Sequence, residues 1–373
     1  MIAKATIWRV AHKVKAVRAH GIGDISDTVE TVVLKLEDKD GATGWGEAAP
    51  WAPFAGTSEA AAAALSRYLA PAYMGEPAAS LPAIMAKADK LLAGHWDAKA
   101  ALESALLDLE ARRRGVPVWA LLGGKGRDRI PLSISIADPE WARDADLIQR
   151  TFEAGIRRFK LKTGFASHAF DLQRVEAIRD AFGDEVHIAV DYNQGLTPRE
   201  AMTQVPDMDS LGLSFIEQPV RREQPEAMIA LTAATKTPLL ADESVFTLGE
   251  LTRAAQQNLA NGLSIKVMKC GGPRRGLAIA EAAAALGWEA WGGDMFESGL
   301  SHLAGVHMIA AAPGFEWGCE YYHANWHVEA DLLTTRFPEE NGEIVVPDGP
   351  GLGIEADEAR IKAQATEVKE IIT

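Results

Sequence analysis

From Ile130 onward the chain repeats one unit: a short apolar run, then a stretch of helical periodicity, then another apolar run. The candidate strands are Ile130–Ile136, Arg158–Lys162, Val186–Asp191, Leu213–Glu217, Pro238–Asp242, Leu263–Val267, Glu289–Gly292 and Glu316–Cys319. Helical patterns fill the gaps, among them Pro139–Ala154, His168–Phe182, Leu248–Asn258 and Pro273–Leu286. A helix between two strands is the connection that parallel pairing needs, so the pattern predicts an α/β fold, a TIM-type (β/α)7β barrel. A doubly wound open sheet is the alternative, but no glycine-rich phosphate turn follows the first strand.

The segment before this repeat reads differently. Val29–Glu37 alternates like a half-buried strand, and Thr43–Ala49 suggests a second with a glycine-marked bend. Helices follow at Ser58–Tyr73, Leu81–Ala93 and Trp96–Arg114, with Ser58 as N-cap and Gly115 as terminator. Residues 1–125 are expected to form an N-terminal α+β capping domain, ending at the glycine-rich 123–126 break. Residues 126–330 make the barrel. Residues 331–373 lose the alternation, with a Gly/Pro loop at Val345–Gly353, and are expected to return to the capping domain and complete it.

Composition narrows the classes. Apolar residues are 47% and charged residues 24% of 373, enough for a large core and too apolar for global disorder. A net charge of −14 with no basic run argues against nucleic acid as partner. Arg112-Arg113-Arg114 lies at a helix end, where it complements the helix dipole. Cys270 and Cys319 are too few for a disulfide framework, the start is too charged for an export signal, and no run of 18 apolar residues occurs. The expectation is a cytoplasmic protein with no membrane partner.

The chemistry sits where the strands end. Strand two ends in Lys160-Leu161-Lys162, and the next three end in Asp191, Glu217 and Asp242. Lys266 follows on the sixth. The intervals from Asp191 to Glu217, on to Asp242 and on to Lys266 are 26, 25 and 24 residues, one strand–helix unit each. Three acids converging on one barrel rim need a cation to stay ionised, and oxygen-only ligands suit Mg²⁺ rather than zinc. Strand alternation sends Lys160 and Lys162 to one face. At ~6 Å and an effective dielectric near 20 their repulsion costs roughly 3 kcal/mol, about 2 pK units, enough to prepare one as an acid or base. Glu243 is placed to pair with Lys266.

The motifs K-L-K at 160–162, D-Y-N at 191–193, F-I-E-Q-P at 215–219, A-D-E-S at 241–244 and K-V-M-K-C-G-G at 266–272, taken in order, resemble the enolase superfamily and within it the muconate-lactonizing-enzyme-like subgroup. The resemblance implies Asp191, Glu217 and Asp242 as ligands of Mg²⁺, with Mn²⁺ as a substitute. It implies Lys162 as general acid/base with its pKa lowered by Lys160, Lys266 as a second acid/base or electrostatic partner, and Asn193 and Glu243 as supports behind the ligands. Glu297, in D-M-F-E-S-G, matches an acidic position of the family whose role varies. The implied chemistry is proton transfer α to a carboxylate through a metal-stabilised enolate.

Substrate is read less directly. Segments 20–26 and 51–57 are candidate lids over the barrel mouth, with Gly21 and Gly23 giving mobility and Trp51 and Phe54 a substrate wall. The first reading is a muconate cycloisomerase acting on a small carboxylate. The second is a racemase or epimerase of an amino-acid derivative, for which Asp294 or Glu320 offers an acid to the substrate ammonium. A non-catalytic carboxylate-binding barrel is the reading of another class, and self-association to a homo-oligomer is left open.

Overall fold

A computed structural model describes residues Met1–Thr373. The N-terminal part is an antiparallel sheet of four strands, in spatial order Ala365–Ile372, Ile2–Lys13, Thr28–Asp38 and Thr43–Ala48. The chain therefore supplies one edge of this sheet from its last residues, with Trp8 opposite both Val33 and Val368. Neither Ile2–Lys13 nor Ala365–Ile372 stood out in the sequence. The last strand has only alternate half-buried positions along its length.

The helix Trp96–Arg114 lies across this sheet. A Cβ on Gly44 would sit 2.2 Å from the Ala105 carbonyl oxygen, and one on Gly46 would sit 2.0 Å from that of Ala101. Those glycines let helix and strand backbones touch; they do not mark a bend. Thr57, not Ser58, caps the first helical run, which passes through a π-turn at Ala64–Leu69 just ahead of Pro71. Proline lacks an N–H and crowds the preceding turn, so the hydrogen-bond pattern slips there. At the other end of Trp96–Arg114, Gly115 takes φ 67° and closes the helix. The three arginines are ion-paired beyond any dipole effect: Arg112 with Asp108 and Glu355, Arg113 with Asp38, Arg114 with Glu110.

Seven parallel strands follow in sequential order: Ser133–Ile136, Arg158–Lys162, His187–Asp191, Ile216–Glu217, Leu239–Ala241, Gly262–Ile265 and Glu289–Gly292. The eighth position is not a regular strand. Cys319 alone bridges Leu132 on one side and Gly292 on the other, and so closes the (β/α)7β barrel. Gly292 must be glycine there, because its Cβ would lie 2.4 Å from that of Cys319. The candidate strand Ile130–Ile136 splits in two, since Arg129–Pro131 turns away to pair with Glu343–Val345.

One continuous apolar core runs from Trp8 and Trp45 to Ile188 and Leu263, so cap and barrel are packed as one body. A polar contact fixes their angle. Glu47 of the capping sheet accepts from Ser298 N–H and Oγ and from Ser301 N–H, capping the barrel helix Gly299–Ala311. No helix is long and apolar enough to cross a membrane.

Candidate active site

Parallel register sets the site. Lys162 pairs across to Asp191, and Asp191 to Glu217, so these three side chains share one level of the barrel rim. Asp242 lies two residues past Leu240, the partner of Glu217. Asp191, Glu217, Asp242 and Lys160 have no solvent exposure, and Lys162 and Lys266 only 7% and 3%.

Each acid is held by a lysine. Lys162 Nζ donates to Asp191 Oδ2 at 2.6 Å, Lys160 to Glu217 Oε2 at 2.8 Å, and Lys266 to Asp242 Oδ2 at 2.8 Å. Burial opposes ionisation of Asp191, but Lys162 and Lys160 hold it well below the usual carboxylate range. Lys266 and Lys269 do the same for Asp242. Glu217 is pushed up to about 7 by burial and by the charge of Asp191.

Lys160 and Lys162 are not the two bare repelling cations that alternation alone suggested, because acids surround both. Lys160 donates to Glu320 at 2.6 Å as well as to Glu217. Burial works against its charge, yet these acids keep it firmly protonated. The expected Lys266–Glu243 pair does not form, because Lys266 turns to Asp242. Both Glu243 carboxylate oxygens are buried without a donor, and burial beside Asp242 and Asp191 pushes its pKa well up.

Several working residues escaped the sequence reading. Lys269, one helical turn after Lys266, donates to Asp242 O and Oδ1 and to Ser264 O, and is fully buried. Gln218 Oε1 accepts from the N–H groups of Asp242 and Ser244, tying strand four to strand five. Asn193, Gln194 and Gln218 all have positive φ (43°, 63° and 33°), a conformation that costs free energy and clusters at functional sites. Gln218 and Lys269 do stand in the motifs F-I-E-Q-P and K-V-M-K-C-G-G, where sequence alone gave them no role.

Above the acids lies a cavity lined by Lys162, Lys266, Asn193, Trp51, Phe54, Asp294, Glu320 and His323, among others. Trp51 and Phe54 both belong to this lining. Asn193 lines the cavity with its Oδ1 unpartnered, and its N–H donates to Asp191 Oδ1 at 2.8 Å. Glu297 stands outside the lining and accepts from Met295 N–H at 2.6 Å. Gly21 is not a hinge: its Cβ would sit 2.3 Å from the Tyr192 carbonyl oxygen, so it lets the hairpin Arg18–His20/Gly23–Ile25 press on the strand-three loop. Two histidines do line the mouth, His20 from the N-terminal hairpin and His323 from beyond strand seven. Asp294, His302 and His323 bring ligand-type atoms within 4.8 Å of one another.

The donor set at the rim fits a hard dication. Three buried carboxylates stand at the ends of neighbouring strands, and Glu217 Oε1 has no hydrogen-bond donor to satisfy it. Such orphaned buried acceptors are what a cation would occupy.

Comparison with known proteins agrees with this geometry. Residues 6–123 match the model "Mandelate racemase / muconate lactonizing enzyme, N-terminal domain", and residues 143–360 match "Enolase C-terminal domain-like". The chain is 33% identical over 338 residues to muconate cycloisomerase 1 of Pseudomonas putida, covering 90% of each. It is 34% identical over 336 residues to the L-Ala-D/L-Glu epimerase of Bacillus subtilis (strain 168), covering 88% of this chain and 89% of that one. The solved structure of muconate lactonizing enzyme from Pseudomonas fluorescens, complexed with muconolactone, superposes with a TM-score of 0.94 at 29% identity, over 98% of this chain and 99% of that one. With the barrel, the cap and both family models in agreement, the chain belongs to the muconate-lactonizing-enzyme-like subgroup of the enolase superfamily.

Proposed function

We propose that this isomerase transfers a proton at the carbon α to a substrate carboxylate, with Lys162 and Lys266 as the acid/base groups. The observation that carries the reading is their placement: two buried lysines, four strands apart around the barrel, lining one cavity and each hydrogen-bonded to an acid of the same cluster. Asp191, Glu217 and Asp242 would hold Mg²⁺, which when bound supplies positive charge against the negative charge growing on the substrate carboxylate. Lys162 gives or takes the proton at the α-carbon, and Lys160, held by Glu217 and Glu320, keeps a fixed positive charge beneath it. Trp51 and Phe54 exclude water from the reacting carbon.

Muconate lactonisation is the first substrate reading, supported by the named activity of the P. putida and P. fluorescens relatives. In that reading Lys162 moves the α-proton and Lys266 is an electrostatic partner. Epimerisation of an amino-acid derivative is the second, supported by the lysine on each side of the cluster, the acids Asp294 and Glu320 in the cavity wall, and the B. subtilis relative. The relatives are isomerases, which leaves no support for a non-catalytic carboxylate-binding barrel.

The test is α-deuterium exchange in D₂O together with loss of the muconate chromophore, on wild type and Lys162→Met. Exchange or chromophore loss that disappears in Lys162→Met, with Mg²⁺ still bound, is the expected result. Full turnover by Lys162→Met would remove that lysine from its role, and silence of the wild type across a library of small acids would refute both substrate readings.

A further inference from the structure

We infer that the N-terminal end of the barrel, opposite the catalytic rim, is a second binding site, and that its ligand is a small aromatic monocarboxylate of the benzoate type. The inference does not depend on which substrate the catalytic cavity takes.

Ser133, Arg158 and His187 begin three successive barrel strands and stand level with one another across the sheet. Arg158, Lys160 and Lys162 alternate along one strand and share one side of it, with Lys162 at the catalytic end and Arg158 at the other. Between the two ends lies a small apolar layer of Ala189, Phe215, Leu240 and Trp291, separate from the main core. Lys160 Nζ lies 5.7 Å from the Trp291 ring centre, so this layer is the floor under the catalytic charges. At the Arg158 end, Trp291, Phe215, Phe159 and Trp317 line a cavity of about 160 Å³ together with Arg158, and its lining shares no residue with the catalytic cavity.

Size and walls fit one ring. A closed apolar cavity of about 150 Å³ holds a benzene molecule. Phe215 stands 5.1 Å from both Trp291 and Trp317, at interplanar angles of 56° and 46°. Tilted rings of this kind offer edges and faces to a further ring, which is how aromatic groups attract one another.

The donors fit one carboxylate. Arg158 has no carboxylate within ion-pair distance: Glu343 and Glu316 act on it only through space, and burial outweighs them and lowers its pKa. Glu343 sits instead 3.7 Å from Arg129. Trp291 is 2% exposed, and its indole N–H has no acceptor. A guanidinium and an indole N–H only donate, so both call for acceptor atoms, and the charge of Arg158 favours an anionic one. His187, its pKa lowered by burial and by the charges of Arg158 and Arg179, stays neutral at neutral pH, and Glu316 is exposed. Arg158 is therefore the one cation of the lining, which matches a monocarboxylate and is too little charge for a phosphate dianion or a dicarboxylate.

The experiment titrates Mg²⁺-saturated protein with 4-fluorobenzoate, read by fluorine NMR, beside 4-fluorobenzyl alcohol, which lacks the charge, and fluoroacetate, which lacks the ring. The expected result is saturable binding of 4-fluorobenzoate, at least about tenfold tighter than either control. Arg158→Gln should weaken it by at least about tenfold and Arg158→Lys by less, whereas Asp242→Asn should leave it within about twofold of wild type. Binding unchanged in Arg158→Gln, binding of the alcohol as tight as that of the acid, or no binding by the wild type would overturn the inference. Diffraction from crystals soaked in 3-bromobenzoate keeps the test decisive even where Arg158→Gln does not fold. An anomalous bromine peak between Trp291 and Trp317 supports the site; a peak only at the catalytic rim, or none, overturns it.

Discussion

Replacing Lys269 by Met tests how the acid cluster is held together. The side chain is fully buried and its Nζ makes three hydrogen bonds, to Asp242 O at 2.9 Å, Asp242 Oδ1 at 2.9 Å and Ser264 O at 2.7 Å. Methionine fills a similar volume, so the cavity cost is small and the loss is electrostatic. Removing one partner of a buried pair costs about 3–5 kcal/mol, because the carboxylate left behind stays desolvated. Lys266 still holds Asp242 Oδ2, which places the expected loss at the lower end. A chain of 373 residues unfolds with an entropy of about 0.8 kcal/mol/K, so the melting temperature should fall by about 4 °C. Differential scanning calorimetry with and without saturating Mg²⁺ reads this directly. The deficit should shrink with Mg²⁺, because a dication replaces the missing charge beside Asp242. A melting temperature within about 1 °C of wild type in the metal-free protein would refute the idea that Lys269 is a required counter-ion.

Asp242→Asn should weaken Mg²⁺ binding by at least about tenfold in a calorimetric titration, since it removes a charged ligand. Gly21→Ala should raise KM with a smaller effect on kcat, because its Cβ meets the Tyr192 and Gly195 backbones at 2.3 and 2.9 Å and the hairpin over the cavity must shift; unchanged kinetics would show that the hairpin does not shape the mouth. Glu47 is pushed from the usual 4.5 up to about 7 by burial. The folded state then binds its proton more tightly than the unfolded state, so this group's contribution is full below about 4.5 and is lost as pH rises through about 7. Glu47→Gln should therefore flatten the fall in stability across that window, as measured by denaturant titrations at stepped pH.

The barrel was legible because its strands are buried on both faces and its connections are helical, a pattern that shows in sequence as short apolar runs at even spacing. The acids were legible for the same reason: each ends an apolar run, and register then carries them together. The strand Ala365–Ile372 was not, because only one side of its ladder is paired and its exposed positions include Val368 and Ile372. Glycines misled twice, at Gly21 and Gly44–Gly46, where close backbone approach and not flexibility sets the residue. Charge was the harder part. The lysine pair could be placed on one face by alternation, but Glu320, 160 residues away from Lys160, becomes its partner only when the barrel closes through Cys319. Likewise His302 comes from a helix and His323 from beyond the closing residue, so no local pattern joins them to Asp294.

The edge strand of the capping sheet has a consequence for how the molecule is made. Ile2–Lys13 is synthesised before the whole barrel, yet its outer neighbour Ala365–Ile372 is synthesised only after it. Throughout synthesis that first strand keeps one row of backbone groups unpaired, open to other chains. Stalled or prematurely terminated products should therefore aggregate through this seam even when their barrels are nearly finished.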